Sequence, residues 1–257
     1  MRTNQTLAKW RKGEQTIGGW LSLANTHTAE TMANAGFDWL CIDMQHGLLD
    51  YADLRHMLPA ISTTETTPMV RVAANRAELI GKSLDAGAMG VIVPLVNNAE
   101  EAAAAVAACR YPPAGGRSFG PIRAAMYGGR GYAAGANNEI ACIVMIETRE
   151  GIANLDAICA TPGLDGVYIG PSDLAYALGL PPAGDTDNAE HTATVAAIQA
   201  ACKAHGVACG IHTTTPDYVR RRLEVGFQFV TVGNDAAFVA AGAAAAVSAA
   251  RAAIGAK

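Results

Sequence analysis

Short apolar runs alternate with amphipathic helical patterns along the whole chain. The runs are nearly continuous in apolar residues, as expected for parallel strands that are covered on both faces. Several of the helical patterns end in Ala-Gly or Val-Gly just before the next run, a common signal for the end of a helix. The predicted strands cover residues 17–25, 37–44, 68–73, 90–96, 141–147, 165–171, 207–213 and 227–233.

Eight alternating β/α units in 257 residues predict a (β/α)8 TIM barrel that forms a single domain over residues 1–257. A doubly wound open sheet is the alternative arrangement of such units. It usually carries a Gly-x-Gly-x-x-Gly motif after an early strand, and this chain has none. The sequence therefore favours the barrel.

Composition and charge narrow the class of protein. Hydrophobic residues make up 51% of the chain and charged residues 16%, which indicates a globular protein with a large core. The net charge of −4 argues against nucleic-acid binding. Residues 1–16 lack the apolar segment of a secretory signal, and the six cysteines show no Cys-x-x-Cys spacing, so we expect reduced thiols in the cytoplasm. The Ala-rich end contains Ser248 and Arg251 and predicts a helix that packs on protein, with no membrane involved.

One connection, residues 112–139, is much longer than the others. Connections of this length more often carry a function than serve only as links. We therefore expect a mobile flap or a contact between subunits here. A disordered surface insertion is the alternative.

Polar side chains follow the predicted strands at the positions where each strand ends. In TIM barrels the catalytic groups lie at the carboxyl ends of the strands. Acids, bases and an arginine are thus expected to meet at one rim. These residues are Trp20, His27, Asp43, Gln45, His46, Arg71, Glu147, Gly170, Ser172, Asp173 and His212.

Two carboxylates, Glu147 and Asp173, follow neighbouring strands of the predicted barrel. Close carboxylates repel each other unless a proton or a cation lies between them. Oxygen ligands without a nearby cysteine favour Mg²⁺ or Mn²⁺. Two simpler roles stay open, because Asp173 could cap the following helix and Glu147 could pair with Arg149.

A base and a cation are predicted at the next strand ends. His46 could be an ordinary polar residue, or a base whose imidazole is oriented by Asp43. Arg71 lies in an apolar strand and needs an anion. That anion could be a ligand carboxylate or enolate, or a protein carboxylate such as Glu147 or Asp85. No lysine lies at a predicted strand end, which disfavours a Schiff-base mechanism.

Several segments together resemble the HpcH/HpaI class II pyruvate aldolases. They are "GFDWLCIDMQHG", "VRV", "VPLVNNAEEA", "RYPPAGGRS", "IETREGIANLDAI" and "GLDGVYIGPSDLA", and the resemblance extends from Gly19 to the last helix. It implies a barrel enzyme that needs a divalent metal (Mg²⁺ or Mn²⁺, with Co²⁺ as a further candidate). The implied reaction joins pyruvate or hydroxypyruvate to an aldehyde, or cleaves the resulting 4-hydroxy-2-oxo acid. A cytoplasmic homo-hexamer, a dimer of trimers that exchange their last helices, is implied as well.

The resemblance also implies roles for individual residues. Glu147 and Asp173 match the metal ligands of the family. His46 matches the catalytic base and Asp43 its partner. Arg71 matches the arginine that holds the charge of the enolate.

The pyruvate carboxylate is implied to lie at the turn of Gly170 and Ser172, where backbone N–H groups at a helix start favour an anion. Two positions depart from the family pattern. Gln45, which we count among the substrate-binding residues, stands where many members have Glu. Met145 stands where some members have Gln. The first change removes one negative charge near the metal-bound water, and the second predicts altered acceptor or carboxylate binding.

The aldehyde half of the site has fewer candidates. Trp20 matches an aromatic wall of the family pocket, and His212 follows strand seven. Arg117 and Arg123 lie in the long connection. A solvent-exposed loop position is the alternative for His212.

Two further functions stay open at this point. The wider family includes lyases that act on malyl- or citryl-type substrates or on acyl-CoA. Such an acyl-CoA enzyme would need a basic surface for the nucleotide, and no clear basic cluster is present in the sequence. A barrel that binds a metabolite without catalysis is the third alternative, although the full set of ionisable residues at the strand ends argues against it.

Overall fold

The computed structural model describes residues 1–255 and contains a closed barrel of eight parallel strands in the order β1 to β8. The predicted TIM barrel is confirmed, and each predicted strand overlaps one of the observed ones. Ala256 and Lys257, at the end of the predicted domain 1–257, lie outside the described residues. The strands are β1 Thr16–Leu21, β2 Trp39–Asp43, β3 Thr67–Arg71, β4 Gly90–Val93, β5 Ala141–Met145, β6 Gly166–Ile169, β7 Ala208–Ile211 and β8 Phe229–Asn234.

Helices follow every strand and surround the barrel. Many begin at Asn, Asp or Thr residues whose side chains accept a backbone N–H of the first turn, as at Asn25, Asp50, Asn98 and Thr148. The helices are α1 Gln5–Trp10, α2 Thr26–Ala33, α3 Tyr51–Ile61, α4 Ala77–Asp85, α5 Ala99–Cys109, α6 Ile122–Gly128, α7 Tyr132–Glu139, α8 Arg149–Ala153, α9 Leu155–Cys159, α10 Pro171–Ala177, α11 Ala189–His205, α12 Pro216–Glu224 and α13 Asp235–Gly255.

The barrel interior is filled by aromatic side chains, so it is a packed core and not a pore. Trp39 and Phe229 are fully buried there. Glycines make room for these rings, because a Cβ at Gly18 would overlap the Trp39 ring and a Cβ at Gly210 would overlap Phe229. Helix α1 closes the amino-terminal end, where Trp10 stacks on Phe229 with 4.2 Å between ring centroids. Substrates can therefore enter only at the opposite end.

The long connection, residues 112–139, forms α6 and α7 at the amino-terminal end of the barrel. Arg117 donates to Asp85, the last residue of α4, at 2.7 Å. Arg123 donates to the carbonyl of Ala86, the next residue, at 2.8 Å. Because α4 ends just before β4 begins, these contacts lie at the end of the barrel away from the rim. The assignment of Arg117 and Arg123 to the aldehyde half of the site is therefore wrong within a single chain.

The same placement excludes a flap over the site of the same chain. The connection is helical and packed against α4. A contact between subunits stays a prediction for this segment. It exposes three large apolar side chains, those of Phe119, Ile122 and Met126.

Helix α13 extends away from the barrel. Its first residue, Asp235, is buried and accepts the backbone N–H groups of Ser22 and Leu23. The rest of the helix is exposed or half-buried within this chain. With 21 residues and a mean hydropathy of 1.7 it is long and apolar enough to cross a membrane, judged by length and composition alone.

Candidate active site

A cavity of 190 Å³ opens at the carboxyl ends of the strands. It brings together seven of the residues that the sequence places at this rim, from β1, β2, β3, β6 and β7. Its lining residues are Trp20, His46, Arg71, Met145, Tyr168, Gly170, Pro171, Ser172, Asp173 and His212. The predicted meeting of acids, bases and one arginine is thus present at the carboxyl rim. His27 is not among these residues, and its side chain is 88% exposed.

Arg71 forms a buried ion pair with Asp43. The two residues are cross-strand neighbours of β3 and β2. Arg71 Nε donates to Asp43 Oδ1 at 2.8 Å, and Nη2 donates to Oδ2 at 2.6 Å. This bidentate contact fixes the plane of the guanidinium group. Burial alone would lower the pKa of Arg71 and raise that of Asp43, but their mutual attraction reverses both shifts. The protein partner of Arg71 is therefore Asp43, and neither Glu147 nor Asp85 has this role.

Asp43 also organises the turn that follows β2. Its Oδ1 accepts the backbone N–H groups of Gln45 at 3.1 Å and of His46 at 3.3 Å. Its Oδ2 accepts the indole N–H of Trp20 at 3.0 Å. Within residues 1–255 the imidazole of His46 makes no hydrogen bond to this carboxylate. The expectation that Asp43 orients the imidazole is wrong, because Arg71, Trp20 and the turn take up the carboxylate.

His46 and Gln45 take different positions in this turn. The side chain of His46 is exposed and lies at the mouth of the cavity. Gln45 is half-buried and does not line the cavity. Its side-chain oxygen is buried and finds no hydrogen-bond donor within residues 1–255. Direct substrate contact by Gln45, as predicted from the sequence, is not supported by this position.

Glu147 is a buried carboxylate, 2% exposed, just beyond the end of β5. Its Oε1 accepts the backbone N–H of Leu95 at 3.0 Å. Leu95 adopts φ 55°, a left-handed conformation that is uncommon outside glycine and often found at functional sites. The Oε2 atom of Glu147 is buried and has no hydrogen-bond partner within residues 1–255, and no ion pair with Arg149 forms there. Burial, with a further contribution from the charge of Asp173, raises the pKa of Glu147 to about 7.

The segment after β6 passes close to this carboxylate. A Cβ at Gly170 would overlap Glu147 Oε2, so any larger residue here would displace the carboxylate. Helix α10 then begins at Pro171, with Gly170 as its N-cap residue and no side-chain cap. Asp173 lies exposed in the first turn of this helix and is not its N-cap. Capping therefore does not explain Asp173.

Part of the cavity wall is aromatic and includes Tyr168 of β6, which no motif in the sequence marks. Tyr168 stacks on Trp20 with 5.5 Å between ring centroids, and its hydroxyl lies 3.1 Å from Nδ1 of His212. His212 is half-buried, so the exposed-loop alternative is wrong. The alternation of β6 places Gly166, Tyr168 and Gly170 on one face, a signal that could have shown that Tyr168 points into the barrel.

The raised pKa of Glu147 predicts how stability depends on pH in the presence of a chelator. Between its usual pKa of 4.5 and the folded value of about 7, the folded protein keeps a proton that the unfolded chain has lost. The free energy of unfolding should therefore fall as pH rises through this window, by up to about 3 kcal/mol from this group. Urea unfolding at pH 5 and pH 8.5, compared between the wild type and Glu147→Gln, isolates the effect. An identical pH dependence in both proteins would contradict the assignment.

The fold and the cavity together define a barrel enzyme whose chemistry takes place at the carboxyl ends of the strands. The model of the HpcH/HpaI aldolase/citrate lyase family matches residues 16–241. The chain belongs to this family, as the resemblance predicted. It is a carbon–carbon lyase of the aldolase type, so the alternative of an inert binding barrel is set aside.

Similar proteins support this identification. A 2-dehydro-3,6-dideoxy-6-sulfogluconate aldolase from Pseudomonas putida is 43% identical over 87% of this chain and 88% of its own. A hydroxypyruvate/pyruvate aldolase from Rhizorhabdus wittichii is 41% identical over 97% of this chain and 99% of its own. The solved structure of a family protein from Burkholderia cenocepacia J2315 has a TM-score of 0.91 and 36% identity, covering 97% of this chain and 100% of that one.

Proposed function

We propose that this enzyme needs a divalent metal and that it joins pyruvate or hydroxypyruvate to a short aldehyde, or cleaves the resulting 4-hydroxy-2-oxo acid. The observation that carries the proposal is the buried carboxylate of Glu147. One of its oxygens has no partner within residues 1–255, and the carboxylate of Asp173 lies close enough to raise its pKa. The name of the Rhizorhabdus wittichii relative supports both oxo-acid partners.

The residues present suit a hard cation. Mg²⁺ and Mn²⁺ prefer oxygen ligands and are often held by one or two carboxylates, with water and substrate at the other positions. Glu147 and Asp173 would supply those two carboxylates. Within residues 1–255, no group of three or more His, Cys, Asp or Glu side chains able to hold a metal occurs. When bound, the ion supplies Lewis-acid polarisation of the 2-oxo group.

The substrate would be held by residues on both sides of this carboxylate pair. Backbone N–H groups of the Gly170–Ser172 turn, at the start of α10, would hold the carboxylate of pyruvate. Arg71 lines the cavity, and its Nη1 stays available to a ligand because Asp43 occupies only Nε and Nη2. Nη1 would therefore stabilise the negative charge that develops on the oxygen of the enolate.

His46 would act as the general acid–base group. It lies at the mouth of the cavity, and its ring nitrogens are not held by hydrogen bonds within residues 1–255. An imidazole can accept a proton from the methyl group of pyruvate or from the 4-hydroxyl group, and return it in the reverse direction. Asp43 would act through the backbone of the turn that carries His46.

Deuterium exchange into the methyl group of pyruvate tests this function without knowledge of the aldehyde. The protein with Mn²⁺ in D₂O should exchange the methyl protons, which one-dimensional NMR measures directly. The same sample with excess chelator should not. A protein that shows no exchange with Mg²⁺, Mn²⁺ or Co²⁺ would rule out the proposal.

Arg71→Lys is expected to lower kcat by roughly 10- to 100-fold. A lysine keeps the charge but loses the planar fork that Asp43 holds at two points, so the charge is no longer fixed beside the reacting oxygen. Steady-state kinetics should show the loss in kcat. Arg76→Lys, at an exposed position, is the matched control. A change confined to KM would make Arg71 a ground-state binder only.

We further propose a cytoplasmic homo-hexamer, a dimer of trimers, in which α13 packs on a neighbouring subunit. The apolar, largely exposed surface of α13 and the exposed side chains of Phe119, Ile122 and Met126 support it, because surfaces of this kind usually mark contacts. Light scattering of the protein and of a chain that ends before α13 would test the assembly. A monomeric full-length protein would exclude it.

A further inference from the structure

The aromatic part of the cavity wall, formed by Trp20, Tyr168 and His212, contains one hydrogen-bonded pair of polar groups. Tyr168 is fully buried in the barrel, on the same inward face as Trp39 and Phe229. Its hydroxyl lies 3.1 Å from His212 Nδ1. A buried hydroxyl without a partner is costly, so this contact holds both side chains in place. The Trp20 ring meets His212 edge-on at 5.3 Å and fixes the plane of the imidazole from the other side.

The hydrogen bond determines which nitrogen of His212 carries the proton. Burial raises the pKa of Tyr168 well above its usual value, and burial with the charge of Arg71 lowers the pKa of His212 to about 4, although Asp43 and Asp185 oppose this shift. Both groups are therefore neutral near pH 7. A phenol is a stronger acid than a neutral imidazole and a weaker base, so the phenol O–H donates to Nδ1. The proton of the imidazole then lies on Nε2.

The groups around Tyr168 and His212 are compatible with this direction of the hydrogen bond. The hydroxyl of Thr231 also lies within hydrogen-bonding reach of Tyr168. It donates its proton to the Thr213 carbonyl at 3.1 Å and accepts the N–H of Thr213 at 2.8 Å, so it could only accept from the phenol, and the imidazole nitrogen is the stronger acceptor. Nε2 of His212 has no hydrogen-bond partner within residues 1–255 and is not among the polar atoms that are shut off from solvent. Since His212 lines the cavity, its Nε2–H is available to a ligand there.

We propose that Tyr168 is a positioning residue that fixes His212 as a neutral hydrogen-bond donor for the 2-hydroxyl oxygen of the aldehyde partner. The inference rests on the proposed aldolase function and names its acceptor class as short 2-hydroxyaldehydes. The rings of Trp20 and Tyr168 line the cavity together with His212, and the cavity of 190 Å³ admits only a small partner beside pyruvate. A neutral donor in such a wall prefers a hydroxyl group to a methyl group of the same size.

The test compares two aldehydes of matched size, glycolaldehyde and propanal, each with pyruvate and Mn²⁺. The quantity measured is the ratio of kcat/KM for glycolaldehyde to that for propanal. Tyr168→Phe should lower this ratio roughly three- to tenfold, the usual value of one neutral hydrogen bond. His212→Leu should lower it at least as much. Tyr132→Phe, which removes a buried tyrosine hydroxyl bound to Arg117 far from the rim, should leave the ratio unchanged.

A second measurement does not depend on activity. With ¹⁵N-labelled histidine, the ring of His212 in the wild type should show a proton on Nε2 only, and Tyr168→Phe should shift it toward a mixture of tautomers. Thermal unfolding establishes that the variants are folded, and His212→Leu carries the kinetic test alone if Tyr168→Phe is not. An unchanged aldehyde ratio together with normal pyruvate exchange would overturn this inference and leave the aldolase proposal intact. Absence of exchange in the wild type would overturn both.

Discussion

Exhaustive chelation is expected to abolish both aldol cleavage and deuterium exchange into pyruvate, and Mg²⁺, Mn²⁺ or Co²⁺ should restore them. Without a cation, only Arg71 would stabilise the negative charge of the enolate. Glu147, whose pKa is raised to about 7, would be protonated below that pH. No lysine of residues 1–255 lines the cavity, so a covalent imine cannot replace the ion. Polarisation of an oxo group by a bound cation contributes several kcal/mol to lowering the barrier, which is why the loss should be near complete.

Metal binding should be measured separately from turnover. Titration with Mn²⁺, followed by the electron paramagnetic resonance of the free ion, should give a weakened site in Glu147→Gln and in Asp173→Asn. Glu150→Gln, on the exposed surface nearby, is the matched control and should bind as the wild type does. Full activity after chelation, or a pyruvate adduct trapped by borohydride, would refute the metal-dependent mechanism.

His46→Ala is expected to lower kcat by roughly 10²- to 10⁴-fold, the usual contribution of a positioned acid–base group. His46 is the only histidine besides His212 that lines the cavity among residues 1–255, and the pKa of His212 is too low for it to act as an efficient base near pH 7. Mn²⁺ binding should persist in His46→Ala because the two carboxylates remain.

The control is His56→Ala, a histidine on the exposed surface of α3, which should keep full activity. Pyruvate exchange distinguishes the step that is lost. If His46 removes the methyl proton, exchange and aldol cleavage should fall together. A variant with an unchanged exchange rate would assign the methyl proton to another group.

Much of the fold could be predicted from the sequence because its signals are local. Eight apolar runs with helix stops between them determine a closed parallel barrel, and the barrel determines that residues after each run share a rim. This reasoning brought His46, Arg71, Asp173 and His212 to one cavity. It also placed Glu147 near Asp173, and the pKa of Glu147 indicates that their charges interact.

The parts that could not be predicted depend on register and on packing between distant segments. Asp43 and Arg71 are paired because β2 and β3 align residue by residue, and the sequence alone leaves that alignment open. Arg117 and Arg123 lie at the end of the barrel away from the rim because they bind Asp85 and Ala86 at the end of α4. Tyr168 was not predicted because an aromatic residue in a strand usually packs in the core without a role at the site.

The single carboxylate of Asp43 has a consequence for how the site can change over time. It holds Arg71, Trp20 and the turn before His46 at once. Residues that share one partner respond to mutation as a unit, so the effects of substitutions at Asp43, Arg71 and Trp20 should not add. Single substitutions at any of these positions are therefore expected to lower activity. New substrate preferences are expected to evolve, or to be engineered, through His212, which makes no hydrogen bond to Asp43 or Arg71 within residues 1–255.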